Sequence, residues 1–340
     1  MYHGMMTIYK EAGYTSSDAV ARLRGILRMK KIGHTGTLDP DAEGVLPMCL
    51  GNATRICELI ADREKEYTAV MRLGIRTDTQ DMSGEILEEK NRDDLLAALD
   101  AKYREICRSA GSLPEEGPSD LTREQAVRTA AASFVGEIQQ IPPMYSAVKV
   151  NGRRLYDMAR KGITIERKAR RVTIYSLDIE KVEIPFVTMR VSCSKGTYIR
   201  TLCEDLGDAL GTGAAMQSLL RTRVGTFTLR EAVRLDEVER IARTKPEDLA
   251  GLIRPVDSFF SDLPAAFCRA DALRLLKNGN RLREDQLRFA LNDNSNQQSC
   301  KEMIIRMYDE NGVFYGLYQR RKEQKSFEAY KMFLPEKMNS

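Results

Sequence analysis

The sequence predicts an α+β protein: a mixed body of helices and strands followed by a small β-rich C-terminal domain. Three observations predict it. Residues 18–30 place Ala19, Val20, Leu23, Ile26 and Leu27 at helical spacing. Strand-like runs fill much of 144–200, notably 171–181 and 187–194. Near the C-terminus, Asn311-Gly312, a pair that tolerates positive φ, separates strand-like segments at 302–308 and 313–320.

In chain order, the helix at 18–30 keeps its arginines mostly opposite the apolar stripe. From Lys31 to Gly51, glycine and proline are too frequent for regular structure, so a shaped loop is expected. Tyr67 to Leu73 predicts a strand, and Gly74 to Gly84 is rich in turn residues. Residues 91–109 predict a charged helix, and Gly111 to Ser119, with two prolines and two glycines, predicts a flexible connector. Helical patterns return at 201–210 and 214–221, and a third C-terminal strand is expected at 326–333. No internal repeat is visible.

Composition limits the function classes. The 340 residues are 42% hydrophobic and contain no apolar run of eighteen, which implies a substantial core and no membrane span. The N-terminus has none of the regions of a signal peptide, and the seven cysteines show no framework spacing, so a reducing cytoplasm is expected. With two histidines and no Cys-x-x-Cys pair, few ligands exist for a zinc site. Neither dinucleotide nor nucleoside-triphosphate glycine motifs occur, and no cofactor is expected. Net charge is only +4, but Arg22, Arg24, Arg28, Lys30 and Lys31 cluster, as do Arg167, Lys168, Arg170 and Arg171. Each cluster fits a nucleic-acid contact or an ordinary solvated face.

The most informative segment runs from Lys31-Ile-Gly-His-Thr-Gly-Thr-Leu-Asp39-Pro through Gly44 to Arg55. Pro40 restricts Asp39 to extended conformations, and the glycines permit close approach by a ligand. On its residues alone, a polar Asp-Pro turn is the more ordinary explanation. Two other signals are decoys. Ser146-Ala-Val-Lys149 matches Ser-x-x-Lys without that hydrolase class's companion motifs. Asp78 and Asp81 beside Gly84 lack calcium-loop spacing.

The run from Lys31 to Arg55 closely resembles the signature of the TruB family of tRNA pseudouridine synthases. Further blocks follow in the family's order: Lys65-Glu-Tyr67, Thr77-Asp-Thr-Gln-Asp81 with Gly84-Glu85, Pro142-Pro-Met-Tyr-Ser-Ala-Val-Lys149 through Asn151-Gly152 and Leu155-Tyr156, and Cys193-Ser-Lys-Gly-Thr-Tyr-Ile-Arg200. The series continues through Asp205, Leu210-Gly211 and Leu219 to Arg221-Thr222 and Gly225-Thr-Phe227. The resemblance covers about Met6 to Pro255. It implies a pseudouridine synthase fold with a mixed, largely antiparallel sheet in a catalytic domain, residues 1–255, carrying an insertion at about 88–122. Residues 256–340 resemble the family's small RNA-binding domain loosely.

The resemblance also implies an activity: isomerisation of the TΨC-loop uridine, tRNA position 55, with Asp39 as nucleophile and no cofactor. A carboxylate suits that reaction, whether it meets a sugar cation at C1′ or adds to C6 of the ring. By the same resemblance Arg200 pairs with Asp39, and Tyr67 stacks on the target base and handles its proton. Tyr198 and Leu219 would wall the pocket, and His34 would contact bases displaced by flipping. The implied partner is the T-arm of tRNA, with no obligatory protein or guide RNA and no membrane. Two alternatives belong to other classes, a non-catalytic tRNA-binding or folding module and an N-glycosidase acting on RNA. The chain departs from the family pattern at Glu11 and Ser17, and at Ala215 and Leu220, where histidine and arginine are frequent and RNA contacts would be lost.

Overall fold

The computed structural model describes residues 2–111, 117–146, 148–150, 152–290, 303–321 and 325–334. The middle of the connector expected at 111–119, Ala147 and Asn151 of the motif block, and residue 302 of an expected strand lie outside the described residues. The chain begins β1 (Gly4–Lys10), α1 (Ser16–Leu27), β2 (Ile32–His34), β3 (Glu43–Leu50), α2 (Cys57–Ala61), β4 (Lys65–Leu73), β5 (Ile75–Thr77) and β6 (Ile86–Glu89). It continues α3 (Arg92–Ser109), α4 (Asp120–Ala132), β7 (Gly136–Gln140), β8 (Lys149–Val150), β9 (Arg153–Arg154), α5 (Leu155–Ala159), β10 (Arg170–Glu183) and β11 (Phe186–Cys193). Then come α6 (Ile199–Ala209), β12 (Ala214–Val224), β13 (Phe227–Thr228), β14 (Val233–Arg234) and α7 (Leu235–Thr244).

Ten of these strands make one sheet in the order β14-β1-β3-β12-β4-β11-β10-β7, with β2 beside β3 and β13 beside β12. Its pairings are antiparallel except β1 with β14 and β3 with β12. The class is therefore α+β with a mixed, largely antiparallel sheet, as the sequence predicts. Hairpins β5–β6 and β8–β9 stand apart from it.

Local chemistry explains the principal elements. Helix α1 opens with a capping box between Thr15 and Asp18 and stops where Arg28 turns left-handed at φ 50. In β4, Lys65, Tyr67, Ala69, Met71 and Leu73 alternate onto the buried face. Helices α3, α4 and α6 cover the half of the sheet containing β4, β10 and β11 through Leu99, Val127, Leu202 and Leu206. Helices α1 and α7 cover β1 and β3 through Leu23 and Val238. Burial of each such large aliphatic side chain contributes about 2 kcal/mol.

Two segments differ from expectation. The predicted shaped loop narrows to about residues 35–42, because β2 and β3 pair directly and β3 is buried along almost its whole length. Pro47 is accommodated there, its carbonyl accepting from the Thr35 amide at 3.2 Å. Residues 214–221, rich in good helix formers, are strand β12, because they fill a slot between β3 and β4 where only extended backbone satisfies both neighbours. The region around 88–122 contributes α3 and, with the helix α4 that follows it, a packed pair in which Arg123 grips Asp100 at 2.8 Å.

The C-terminal strands are β15 (Ala265–Cys268), β16 (Leu282–Arg283), β17 (Leu287–Phe289), β18 (Ile304–Tyr308), β19 (Phe314–Arg321) and β20 (Ser326–Met332). They form a second sheet in the order β16-β20-β19-β18-β15-β17. Asn311-Gly312 lies in the β18–β19 connection, with Gly312 at φ 79 and the Asp309 carboxylate accepting from the Asn311 and Val313 amides, each at 2.9 Å. Leu317 and Phe333 pack in one cluster with Met5, Val45 and Phe227 of the larger body. Asn52 donates to the Phe333 carbonyl at 2.8 Å, which ties the two sheets together. No described helix is long and apolar enough to cross a membrane.

Candidate active site

The glycine-rich loop between β2 and β3 is held from several sides. The Leu38 amide donates to Ser16 Oγ at 2.9 Å. Behind the loop the Lys10 ammonium donates to the carbonyls of Pro40 at 2.8 Å and Ala42 at 2.6 Å. Burial pushes that ammonium down to about 8, while Asp39 and Asp41 favour its charge. So anchored, Asp39 faces a cleft of about 270 Å³.

Helix α6 supplies the opposing cation. Arg200, in its first turn, is 5% exposed and meets Asp39 at two points, Nε to Oδ2 at 3.0 Å and Nη2 to Oδ1 at 3.2 Å. The rest of the fork is also used, Nη1 donating to the Thr79 carbonyl at 3.1 Å and Nη2 to the Tyr145 carbonyl at 2.8 Å. Asp81 lies 3.5 Å from Nη1 and is itself fixed by the Thr79 and Ser83 hydroxyls at 2.7 and 2.6 Å. Burial lifts the Asp39 carboxyl above its ordinary value; Arg200 opposes this, and Asp81 adds to it. The Asp39 side chain nevertheless keeps 39% of its surface open to the cleft, so solvent reaches it.

Tyr67, Tyr198 and Leu219 all line the same cleft as Asp39 and Arg200. Tyr67 comes from the buried face of β4, and burial raises its hydroxyl above the ordinary phenol range. Tyr198 is fixed at the start of α6 by the Gln140 side chain, which accepts from its amide at 3.0 Å and donates to its carbonyl at 3.2 Å. Leu219 sits opposite Ala69 across the β12–β4 pairing. His34 ends β2 and is not among the lining residues. Its Nδ1 accepts from the Gly36 amide at 3.3 Å, and burial lowers its basicity.

Lys10, Lys65, Asp81 and Arg221 also stand at or behind the site, although no role for them is legible in the sequence. Lys65 carries only a positional signal, standing two residues before Tyr67 on the same strand face. It lines the cleft, donates to the Ala61 and Arg63 carbonyls at 2.7 Å each, and is pushed by burial down to about 8. The basic clusters are partly spent on structure. Arg22 bridges to Asp236 and Glu239, Arg24 donates to the Ile32 carbonyl at 2.7 Å, and Arg171 pairs with Glu137 at 3.2 Å. Lys30 and Lys31 remain exposed.

The sequence model for the TruB family pseudouridylate synthase N-terminal domain matches residues 24–110 and 102–199, and that for the tRNA pseudouridylate synthase B C-terminal domain matches 200–261. A protein from Lachnoclostridium phytofermentans named tRNA pseudouridine synthase B is 46% identical over 340 residues, covering 98% of this chain and 100% of that protein. The protein of the same name from Clostridium tetani is 39% identical over 321 residues, 94% of this chain and 96% of the relative. Among solved structures, the archaeal box H/ACA sRNP Nop10-Cbf5 complex superposes with a TM-score of 0.62 at 23% identity, covering 98% of this chain and 87% of that one. An H/ACA RNP bound to a substrate RNA containing 2′-deoxyuridine gives 0.63, also at 23%, covering 98% and 86%. The fold is that of the pseudouridine synthases, and the chain belongs to the TruB family of pseudouridylate synthases.

Proposed function

We propose that this protein isomerises the TΨC-loop uridine at tRNA position 55 to pseudouridine, with Asp39 as nucleophile. The observation that carries this reading is the two-point Asp39–Arg200 pair on the wall of a cleft also lined by Tyr67, Tyr198 and Leu219. A cleft of about 270 Å³ suits one extruded nucleoside and is too small for a stacked duplex. Asp39 serves either route to cleavage of the C1′–N1 bond, meeting cationic character at C1′ or adding to C6. The uracil then turns, C5 bonds to C1′ as any bond to Asp39 breaks, and the proton lost from C5 is balanced by one gained at N1. Atoms and oxidation level are conserved overall, so no redox partner is required.

Under this reading Tyr67 stacks on the base and handles its proton, Tyr198 and Leu219 close the pocket, and His34, next in the chain to the lining residue Thr35, meets the displaced bases. Residues 1–255 perform the chemistry, and residues 256–340 form a small RNA-binding-like domain. The enzyme works in the cytoplasm without guide RNA or protein partner. The direct test is to incubate the purified protein alone with unmodified tRNA transcript and map pseudouridine by position. Modification at the T-loop uridine is expected. Free uracil would identify an N-glycosidase, and tight tRNA binding without conversion would identify a folding module.

Two further outcomes are expected. Chelator should leave the rate unchanged, because the isomerisation is chemically self-contained. Loss of turnover restored by one specific divalent ion, with the tRNA shown to remain folded, would overturn that expectation. Tyr67→Ala and Tyr67→Phe should differ. Alanine removes the stacking ring and should weaken capture of the flipped base by about tenfold. Phenylalanine keeps the ring and should mainly slow the chemical step. Single-turnover rates and tRNA affinities for both variants check this, and wild-type behaviour of Tyr67→Ala would remove Tyr67 from the site.

A further inference from the structure

Arg221 is 1% exposed and stands among the largest fully buried side chains of the described residues. It lies on β12, directly across from Tyr67 of β4 on one side and Gly44 of β3 on the other. Burying a guanidinium is costly unless its charge is paired. Among the described residues, the Arg221 hydrogen bonds go to no carboxylate. Its Nε donates to the Val45 carbonyl at 2.7 Å, and its Nη1 and Nη2 reach the Thr37 and Gly36 carbonyls at 3.4 and 3.3 Å. Tyr67, its cross-strand neighbour, also lines the cleft, and its hydroxyl lies close enough to feel the charge of Arg221. Strand β3 closes on this residue only because position 44 is glycine: Gly44 has φ +105, and a Cβ there would come 2.2 Å from the Arg221 carbonyl oxygen.

We propose that Arg221 is a positioning residue, whose single guanidinium sets the Tyr67 ring and the loop carrying Asp39 relative to each other. Gly36 and Thr37 stand just before Asp39 in the chain, so their carbonyls fix the approach of the nucleophile. The Tyr67 hydroxyl fixes the ring against which the base must lie. These acceptors lie in different directions, which a planar fork serves and a single ammonium does not. The cation also favours the ionised form of the Tyr67 hydroxyl, against the burial that disfavours it. The inference rests on the roles given above to Asp39 and Tyr67.

The test is a double-mutant cycle with Arg221→Lys, Tyr67→Phe and the double variant, read by single-turnover release of tritium from transcript labelled at uridine C5. Circular dichroism and tRNA affinity accompany each variant. Arg221→Lys should lose on the order of a hundredfold in rate, the usual consequence of misplaced reacting groups, with affinity kept within about threefold. The double variant should be no more than about twofold slower than the slower single variant, because both changes disturb the same cross-strand contact. Losses that multiply, or rate and affinity lost together in Arg221→Lys, would reduce Arg221 to a structural brace and overturn the proposal. Should Arg221→Lys not fold, Arg221→Gln, which keeps two N–H donors for the loop carbonyls without the charge, replaces it in the cycle: losses that fail to multiply with Tyr67→Phe support the proposal, and losses that multiply overturn it. A wild-type protein that makes no pseudouridine is a separate result, which strikes the function and not this contact.

Discussion

Asp39→Asn is expected to lower single-turnover pseudouridine formation by at least about ten-thousandfold, or about 5 kcal/mol of transition-state stabilisation. The amide keeps the shape of the carboxylate and one acceptor for the Arg200 fork, but it is neither a nucleophile nor a charge. Binding should survive. The loop is held from behind by Ser16 and Lys10 through backbone groups that the substitution does not touch. Arg200 also keeps Asp81 at 3.5 Å and two carbonyl acceptors, so its charge is not stranded. Affinity for unmodified tRNA should change by no more than about threefold, since phosphate and groove contacts dominate it. The measurement is tritium release from C5-labelled transcript, with filter binding in parallel, on protein free of host synthase. A rate within tenfold of wild type would exclude Asp39 as the nucleophile.

Asp39 and Arg200 are 161 positions apart in the chain, and only the family resemblance joins them in advance. Composition and periodicity read each of them as an unremarkable polar residue. Where a segment follows one period, the sequence was legible: the helix expected at 91–109 is Arg92–Ser109, and the strand expected from Tyr67 to Leu73 is Lys65–Leu73. Local propensity misleads where tertiary context overrides it. Ala214 to Arg221 is built from good helix formers, but its neighbours Glu43–Leu50 and Lys65–Leu73 leave an extended slot. The glycine and proline content of 31–51 likewise concealed two strands, because Gly33 and Pro47 sit at pairing positions that accept them.

The supporting residues of the site were illegible for a different reason. Lys10 and Arg221 act almost wholly on backbone carbonyls, and a carbonyl has no signature in sequence. Asp81 belongs to a turn in which Gln80 adopts φ 65, an unusual conformation for a non-glycine residue. The Gln80 side chain bridges Glu204 and Thr201 of α6, so the Asp81 turn and the Arg200 helix are locked together. Such a lock depends on two distant segments meeting, and neither segment alone predicts it.

That lock leads to the second large effect, at Arg200. Arg200→Lys should lower the single-turnover rate by about a hundredfold or more, because one ammonium cannot span both Asp39 oxygens and the Thr79 and Tyr145 carbonyls. Arg200→Met should do more. It leaves Asp39 facing Asp81 without the cation between them, and Asp81 goes on raising the proton affinity of Asp39. Asp39 already titrates above its ordinary value in the wild type, and Arg200 is what holds it down. Removing that charge moves the titration further up, whereas the nucleophile proposed above is the ionised form. The acid limb of the pH–rate profile should therefore shift to higher pH in Arg200→Met, so that raising the pH recovers part of the lost rate. Arg200→Lys, which retains the charge, should show less of this shift. Folding stability should fall by roughly 2 kcal/mol in Arg200→Met, less than for a fully enclosed pair because Asp39 remains 39% exposed. Profiles of the wild type and both variants, with thermal unfolding of each, provide the check. Equal acid limbs in all three proteins would show that Arg200 orients Asp39 without governing its charge.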